Sequence, residues 1–339
     1  MCFREFWATD IGIKLHRFLA PFLFLAGLAY GQLNTFSSLL GDNEHWEGTR
    51  WSLAERAVFA GRPEYSGPPA KTLIVRYTHF SVLYDLERRQ PLWVAHFDEK
   101  ESEARSRVRT KAYNRRWDRA GDDFRPDGHV IAASIEAKLK WATDASFNNA
   151  NPPELPGERE KITRGHMASN MEMKCQGSED EGDLAQGESF SLANVCPQMQ
   201  GHNAPLWAKL EDQCLVWATR LKGVAVYSGP VFAPDTSQPP PVQKALQTDG
   251  GKNGVPIPIP THFYKIIIAK KAGKTVAVGF LIPHRTDLFN KTPARKKDRG
   301  LADFIVPIRE IEEKTGINFM PALGPDSPVE VHANHDWDF

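Results

Sequence analysis

Four short runs decide how this chain reads: KITRGHM (161–167), SFSLANVCPQ (189–198), GHNAPLW (201–207) and AKLEDQCLVWATRLKG (208–223). Across the last two, Leu206, Leu210, Cys214, Trp217 and Leu221 recur at spacings of 4, 4, 3 and 4. That period predicts a helix with one buried face, stopped at Gly223. SFSLANV (189–195) reads as a short strand. A neutral imidazole titrating at about pH 6.5 makes His166 a candidate base, although a lone histidine reads equally as packed or surface. Asn203 stands where it would cap the helix that follows it. Glu211 lies eight residues on, about 80° past two full turns of α-helix, so the two share one broad side if the helix begins near Asn203. Otherwise Glu211 is a solvated helix glutamate.

Working outward, TLIVRYTHFSVLYD (72–85) and PLWVAHF (91–97) carry β-branched and aromatic residues and predict a hairpin. HFYKIIIAKK (262–271) and TVAVGFLIP (275–283) predict a second, with Ala272-Gly273-Lys274 at its turn. Ala272-Gly273-Lys274-Thr275 also ends like a phosphate-binding loop, but Ile268 stands where that motif needs glycine. Residues 130–142 read as a helix, 177–188 as an exposed acidic helix start or insertion, and 308–316 as a short amphipathic helix closed by Gly316. Residues 235–260, with their PPP, DGG and PIPIP runs, predict a surface excursion. A basic stretch holds Arg105, Arg107, Arg109, Lys111, Arg115, Arg116, Arg119 and Arg125, interleaved with Tyr113, Trp117 and Phe124.

RGH at 164–166, SLAN with Pro197-Gln198, Asn203 with Trp207, and Leu210-Glu211 fall in one order. YSGPVF (227–232), THFYKIII (261–268) and IEEKTGINFMPAL (311–323) follow. RGH alone would say little. The ordered set resembles the DNA/RNA non-specific endonucleases of the ββα-metal (His-Me finger) superfamily, the Serratia nuclease and endonuclease G type, over about 71–325. The resemblance implies an α+β ββα-metal nuclease fold, with a central mixed or antiparallel sheet flanked by helices. It implies His166 as general base, Asn203 as ligand to Mg²⁺ (Mn²⁺ or another divalent cation in its place), and Glu211 and Asn194 as orienting groups. A turn-forming asparagine is the plain alternative for Asn194. Arg164 would contact phosphate or pair with a carboxylate.

The family also carries an arginine ahead of a Phe-Arg-Pro-Asp-like run. Here that run is Phe124–Asp127, and Arg119 is the nearest preceding arginine, with Arg115 and Arg116 also in reach. Arg109, Arg115 and Arg116 are the candidate contacts to the DNA and RNA backbone, a binding mode that carries no sequence readout and weakens with salt. The family usually has aspartate where this chain has Thr163, which weakens support for the adjacent arginine and histidine. His202, ahead of Asn203, reads as a competing ligand or a surface residue. The acidic run Glu179–Asp183 would repel a polyanion. These departures keep two rivals: a phosphodiesterase for a smaller or different substrate, and a nucleic-acid binder with impaired catalysis.

The whole chain has 339 residues with 42 basic and 42 acidic side chains, so an anionic partner must be met by a local cluster rather than a basic coat. At 41% hydrophobic and 25% charged, it is neither a disordered nor a multi-span membrane chain. Lys14, His16 and Arg17 precede the apolar run Phe18–Ala29, and Ala29-Tyr30-Gly31 follows. That pattern predicts a secretory leader over 1–31, with a buried N-terminal helix as the alternative. Export to the periplasm or medium follows, with a mitochondrial-type or cytoplasmic location left open and no stable membrane association after leader removal. Residues 32–70 read as a lead-in and 326–339 as a tail. Cys175, Cys196 and Cys214 would permit one disulfide of unassigned pairing. The sequence leaves a homodimer and a protein inhibitor open as partners.

Overall fold

The computed structural model describes residues 61–66, 71–99, 124–147, 162–232, 247–248, 250–284, 300–324, 326–335 and 337. All of them fall in one unit, Gly48–Phe339. The leader reading of 1–31 and the basic stretch before Phe124 lie outside the described residues.

In chain order the strands begin with β1 (Glu64–Tyr65), β2 (Thr72–Arg76), β3 (Phe80–Asp85) and β4 (Gln90–Asp98). The run at 72–85 is therefore two strands rather than one arm of a hairpin. Tyr77 N donates to Phe80 O at 2.9 Å and closes the turn between them. Helix α1 (Gly128–Glu136) is capped by Asp127, which accepts from the His129 and Val130 amides. Next come β5 (Ile162–His166), α2 (Asn170–Lys174), α3 (Glu179–Ser189), a 3₁₀ turn at Leu192–Asn194 and β6 (Val195–Met199). The expected strand over 189–195 is corrected. Ser191 caps the 3₁₀ turn by accepting from Ala193 N, and strand pairing starts only at Val195. The acidic run is indeed a helix start, with Ser178 and Glu181 forming a capping box.

A helical rod follows: α4 (Gln200–His202), a π-turn (Asn203–Trp207) and α5 (Ala208–Leu221). Then come β7 (Val224–Val231), β8 (His262–Lys271), β9 (Lys274–Pro283), β10 (Ile305–Val306), α6 (Ile308–Thr315), β11 (Ile317–Asn318) and α7 (Pro328–Val331). Gly316 closes α6 at φ 70°, a left-handed position that costs glycine little.

The central sheet has seven strands in the order β10-β9-β8-β7-β4-β3-β2, each neighbouring pair antiparallel. Every residue of β4 and β7 is buried, as expected of strands covered on both faces. Helix α5 lies against β4, β7 and β8. The β8–β9 hairpin turns at Ala272 and Gly273 with φ of 50° and 78°, the left-handed pair that matches strand twist. Two small ribbons stand apart from this sheet: β1–β11 ties residues 64–65 to 317–318, and β5–β6 carries the RGH run.

The excursion at 235–260 is not wholly on the surface. Ile257 and Ile259 are buried, and Gln90 Nε2 donates to Pro258 O at 2.6 Å. Cys175, Cys196 and Cys214 are all buried and form no disulfide with one another. Among the described residues no helix is long and apolar enough to cross a membrane.

Candidate active site

The site is built where the β5–β6 ribbon meets the helical rod. The ribbon is antiparallel, with Thr163 opposite Gln198, Gly165 opposite Cys196 and His166 opposite Val195. A Cβ at Gly165 would overlap the fully buried Gln198 side chain, which is why glycine stands between Arg164 and His166. Two contacts pin the rod beside the strand. Asn203 Nδ2 donates to Thr163 Oγ1 at 3.2 Å, and Trp207 Nε1 donates to the His166 carbonyl at 3.1 Å. Thr163 and His166 are three residues apart on the strand, about 10 Å at 3.3 Å per residue. The two contacts therefore set Asn203 and His166 within one short strand length of each other.

Asn203 is not a helix N-cap. Its φ of −63° and ψ of −50° are helical, and the rod begins three residues earlier at Gln200. Ala208 N bonds back to Asn203 O, five residues away, which is the π-turn. Pro205, inside that turn, has no N–H to contribute to a regular ladder. A wider turn rotates less per residue, so Glu211 falls closer to Asn203 in azimuth than the 80° of an unbroken α-helix. Asn203 Oδ1 accepts no hydrogen bond among the described residues.

The His166 ring stands between Phe124 and Phe190, at centroid distances of 5.2 and 5.1 Å, with Phe190 meeting it edge-on. Arg164 also meets Phe124, its guanidinium carbon 5.6 Å above that ring, and pairs through Nε with Asp144. The sequence left phosphate and carboxylate open as partners for Arg164; the structure supplies the carboxylate. Asn194 does not end a strand pointing into the site. Its side chain is buried and bonded to backbone: Oδ1 accepts from Ala168 N at 2.9 Å, and Nδ2 donates to Ala168 O and Ser189 O at 2.9 and 3.0 Å.

Glu211 is partly buried. Burial and the nearby Glu172 charge push its carboxyl up to about 8, against Lys265 and a hydrogen bond from Ser169. Ser169 Oγ already accepts from the Met171 and Glu172 amides, so its proton is left for Glu211. Behind Glu211 lies a cluster that sequence reading missed: His96, Asp98, Glu172 and Lys265, all fully buried. His96 Nε2 is 3.6 Å from Asp98 Oδ1 and 3.4 Å from Glu172 Oε2. Burial alone would lower His96, but the two carboxylates raise it to about 9. Lys265 also stays charged, held up by Glu172 and sitting 4.8 Å from the Trp207 ring. The three groups His96, Asp98 and Glu172 lie within 4.8 Å of one another, a spacing that could gather a cation. A charged His96 and Lys265 together balance the two carboxylates. His96 and Asp98 lie on β4, Lys265 on β8 and Glu172 on α2, so nothing in the residue order brings the four together.

His202 is not a surface residue. It is buried among Trp207, Phe263 and His284, and burial with the His284 ring beside it holds it well below its usual value. Arg109, Arg115, Arg116 and Arg119 lie outside the described residues.

Comparisons with known proteins bear on the family of the chain. Residues 62–326 match the family model for DNA/RNA non-specific endonuclease. The chain is 26% identical over 319 residues to the mitochondrial nuclease EXOG of Xenopus laevis, covering 93% of this chain and 77% of that protein. It is 26% identical over 257 residues to the mitochondrial endonuclease G of Homo sapiens, covering 76% and 72%. A solved structure of an EndoG/EndoGI complex aligns at a TM-score of 0.49 and 21% identity, over 74% of this chain and 86% of that one. With the family match spanning the sheet, the ribbon and the rod alike, the chain belongs to the DNA/RNA non-specific endonuclease family.

Proposed function

We propose that this chain hydrolyses phosphodiester bonds in DNA and RNA without base selectivity, using a divalent cation, and that Mg²⁺ is the ion. Members of the family are nucleases generally dependent on a divalent metal. The observation that carries the reading is the pair of contacts that sets the rod with Asn203 and Glu211 alongside the strand with His166. Asn203 fits a hard cation, because its amide nitrogen is spent on Thr163 and its oxygen is not. When bound, the ion stabilises charge on the phosphate as a Lewis acid.

The chain's own groups do the rest. Neutral His166, its ring plane set by Phe124 and Phe190, takes the proton of the attacking water. Glu211, once ionised, orients water at the site. Asn194 holds the backbone that leaves His166. Arg164, paired with Asp144 through part of its guanidinium, and Arg119 take up phosphate charge, with Arg109, Arg115 and Arg116 binding the backbone electrostatically.

The test is digestion of plasmid and of RNA by purified protein, with Mg²⁺ or EDTA, beside His166→Ala. Mg²⁺-dependent nicking lost in His166→Ala is the expected result. Salt-sensitive DNA binding without any nicking would instead establish the impaired binder. Turnover of small diesters but not of plasmid would establish the narrower phosphodiesterase. The relatives named above are called mitochondrial, which favours the organellar alternative over export. A fluorescent fusion of the full chain, imaged against organelle markers, decides between them.

A further inference from the structure

We propose that Thr163 is a positioning residue that decides which end of the Asn203 carboxamide faces the cation. This rests on the reading of Asn203 as ligand and deepens it. A carboxamide has two ends of nearly equal shape, and only the oxygen can hold a metal. Rotation by half a turn would present two N–H donors to the ion instead. Nothing in asparagine itself selects the orientation.

The selection comes from a hydroxyl with a single proton. Thr163 Oγ1 donates that proton to the Gln198 carbonyl at 3.0 Å, across the register pair Thr163–Gln198 of the ribbon. What remains on Oγ1 is acceptor capacity. The Asn203 atom 3.2 Å away must therefore be a donor, which is Nδ2. Oδ1 is then turned away from the strand. The partner carbonyl is a strand backbone group beside a fully buried Gln198 side chain, so the hydroxyl has a fixed anchor. Threonine is also stiff at χ1, which keeps Oγ1 in place without further bonds. Position 163 thus serves the rod that crosses it. Its neighbours Arg164 and His166 take their support elsewhere, from Asp144, Phe124 and Phe190.

The experiment measures Mn²⁺ binding to the full chain by isothermal titration calorimetry, together with the Mg²⁺ concentration for half-maximal plasmid nicking. The variants are Thr163→Val, Thr163→Ser and Asn203→Ala. Thr163→Val keeps the shape and removes the acceptor. It should weaken Mn²⁺ binding and raise the Mg²⁺ requirement about tenfold, the scale seen when a ligand loses its orienting partner. Nicking at saturating Mg²⁺ should fall far less, and Thr163→Ser should recover the affinity. If Thr163→Val does not fold by circular dichroism, Thr163→Ala is read by the same two measurements. Loss of Mn²⁺ binding in Asn203→Ala with unchanged affinity in the Thr163 variants would overturn this inference alone. Unchanged Mn²⁺ binding in Asn203→Ala would overturn the ligand reading itself.

Discussion

Asn194 grips both backbone polar groups of Ala168: Oδ1 accepts from Ala168 N and Nδ2 donates to Ala168 O, each at 2.9 Å. Ala168 is two residues past His166, so this clamp sets the path of the chain as it leaves the candidate base. The third bond, Nδ2 to Ser189 O, ties the same point to the end of α3. A carboxamide is needed because the clamp uses a donor and an acceptor at once.

Asn194→Asp replaces the donor end with an acceptor facing two carbonyls in a buried place. The expected cost is about 3 kcal/mol of stability, from two buried acceptors left without donors. Urea denaturation followed by circular dichroism reads it. An Asp variant that unfolds like the parent while losing nicking would mean that Asn194 acts on substrate rather than on the fold.

Lys265 is the counter-charge for Glu172 and Glu211 and is fully buried. Removing one member of a buried ion network leaves the others uncompensated. Lys265→Met should therefore cost about 3–5 kcal/mol. Adding Glu172→Gln to it should return part of that loss, because the stranded charge is gone. Costs that simply add in the double variant would show that the two groups are not coupled.

His284 is neutral in the folded state. Its Nε2 accepts from Met199 N and its Nδ1 donates to Pro260 O, both at 2.8 Å. Burial holds it down to about 4. The folded value lies below the ordinary one of about 6.5, so the unfolded chain binds the extra proton between them. Its contribution is therefore whole above pH 6.5 and fades as pH falls towards 4, by up to about 3 kcal/mol. Glutamine can accept and donate in the same two directions without titrating. His284→Gln should flatten the loss of stability between pH 6.5 and 4, measured as urea midpoints across that range. Parallel pH profiles for parent and variant would refute this.

Some of this was legible in residue order. The 4-4-3-4 spacing from Leu206 to Leu221 and the Ala-Gly turn of the β8–β9 hairpin are local patterns, and local patterns are written by neighbours a few positions apart. The run at 72–85 was misjudged because β-branched residues suit either side of a tight turn. The strand placed on SFSLAN failed because Ser191 offers its hydroxyl to Ala193 N, a competing local bond that propensity alone does not show.

The ordered motifs by themselves determined the family, the candidate base and the candidate ligand, since those depend on residue identity and order. Only the tertiary structure decided what each group does with its hydrogen bonds. Asn194 is spent on backbone, Arg164 pairs with Asp144, and Asn203 lies inside the rod, held by Thr163, rather than capping its start. The reason is that those partners lie 20 to 40 positions apart in the chain. A hydroxyl's single proton, or a carboxamide's two ends, are allotted only when strand and helix have come together.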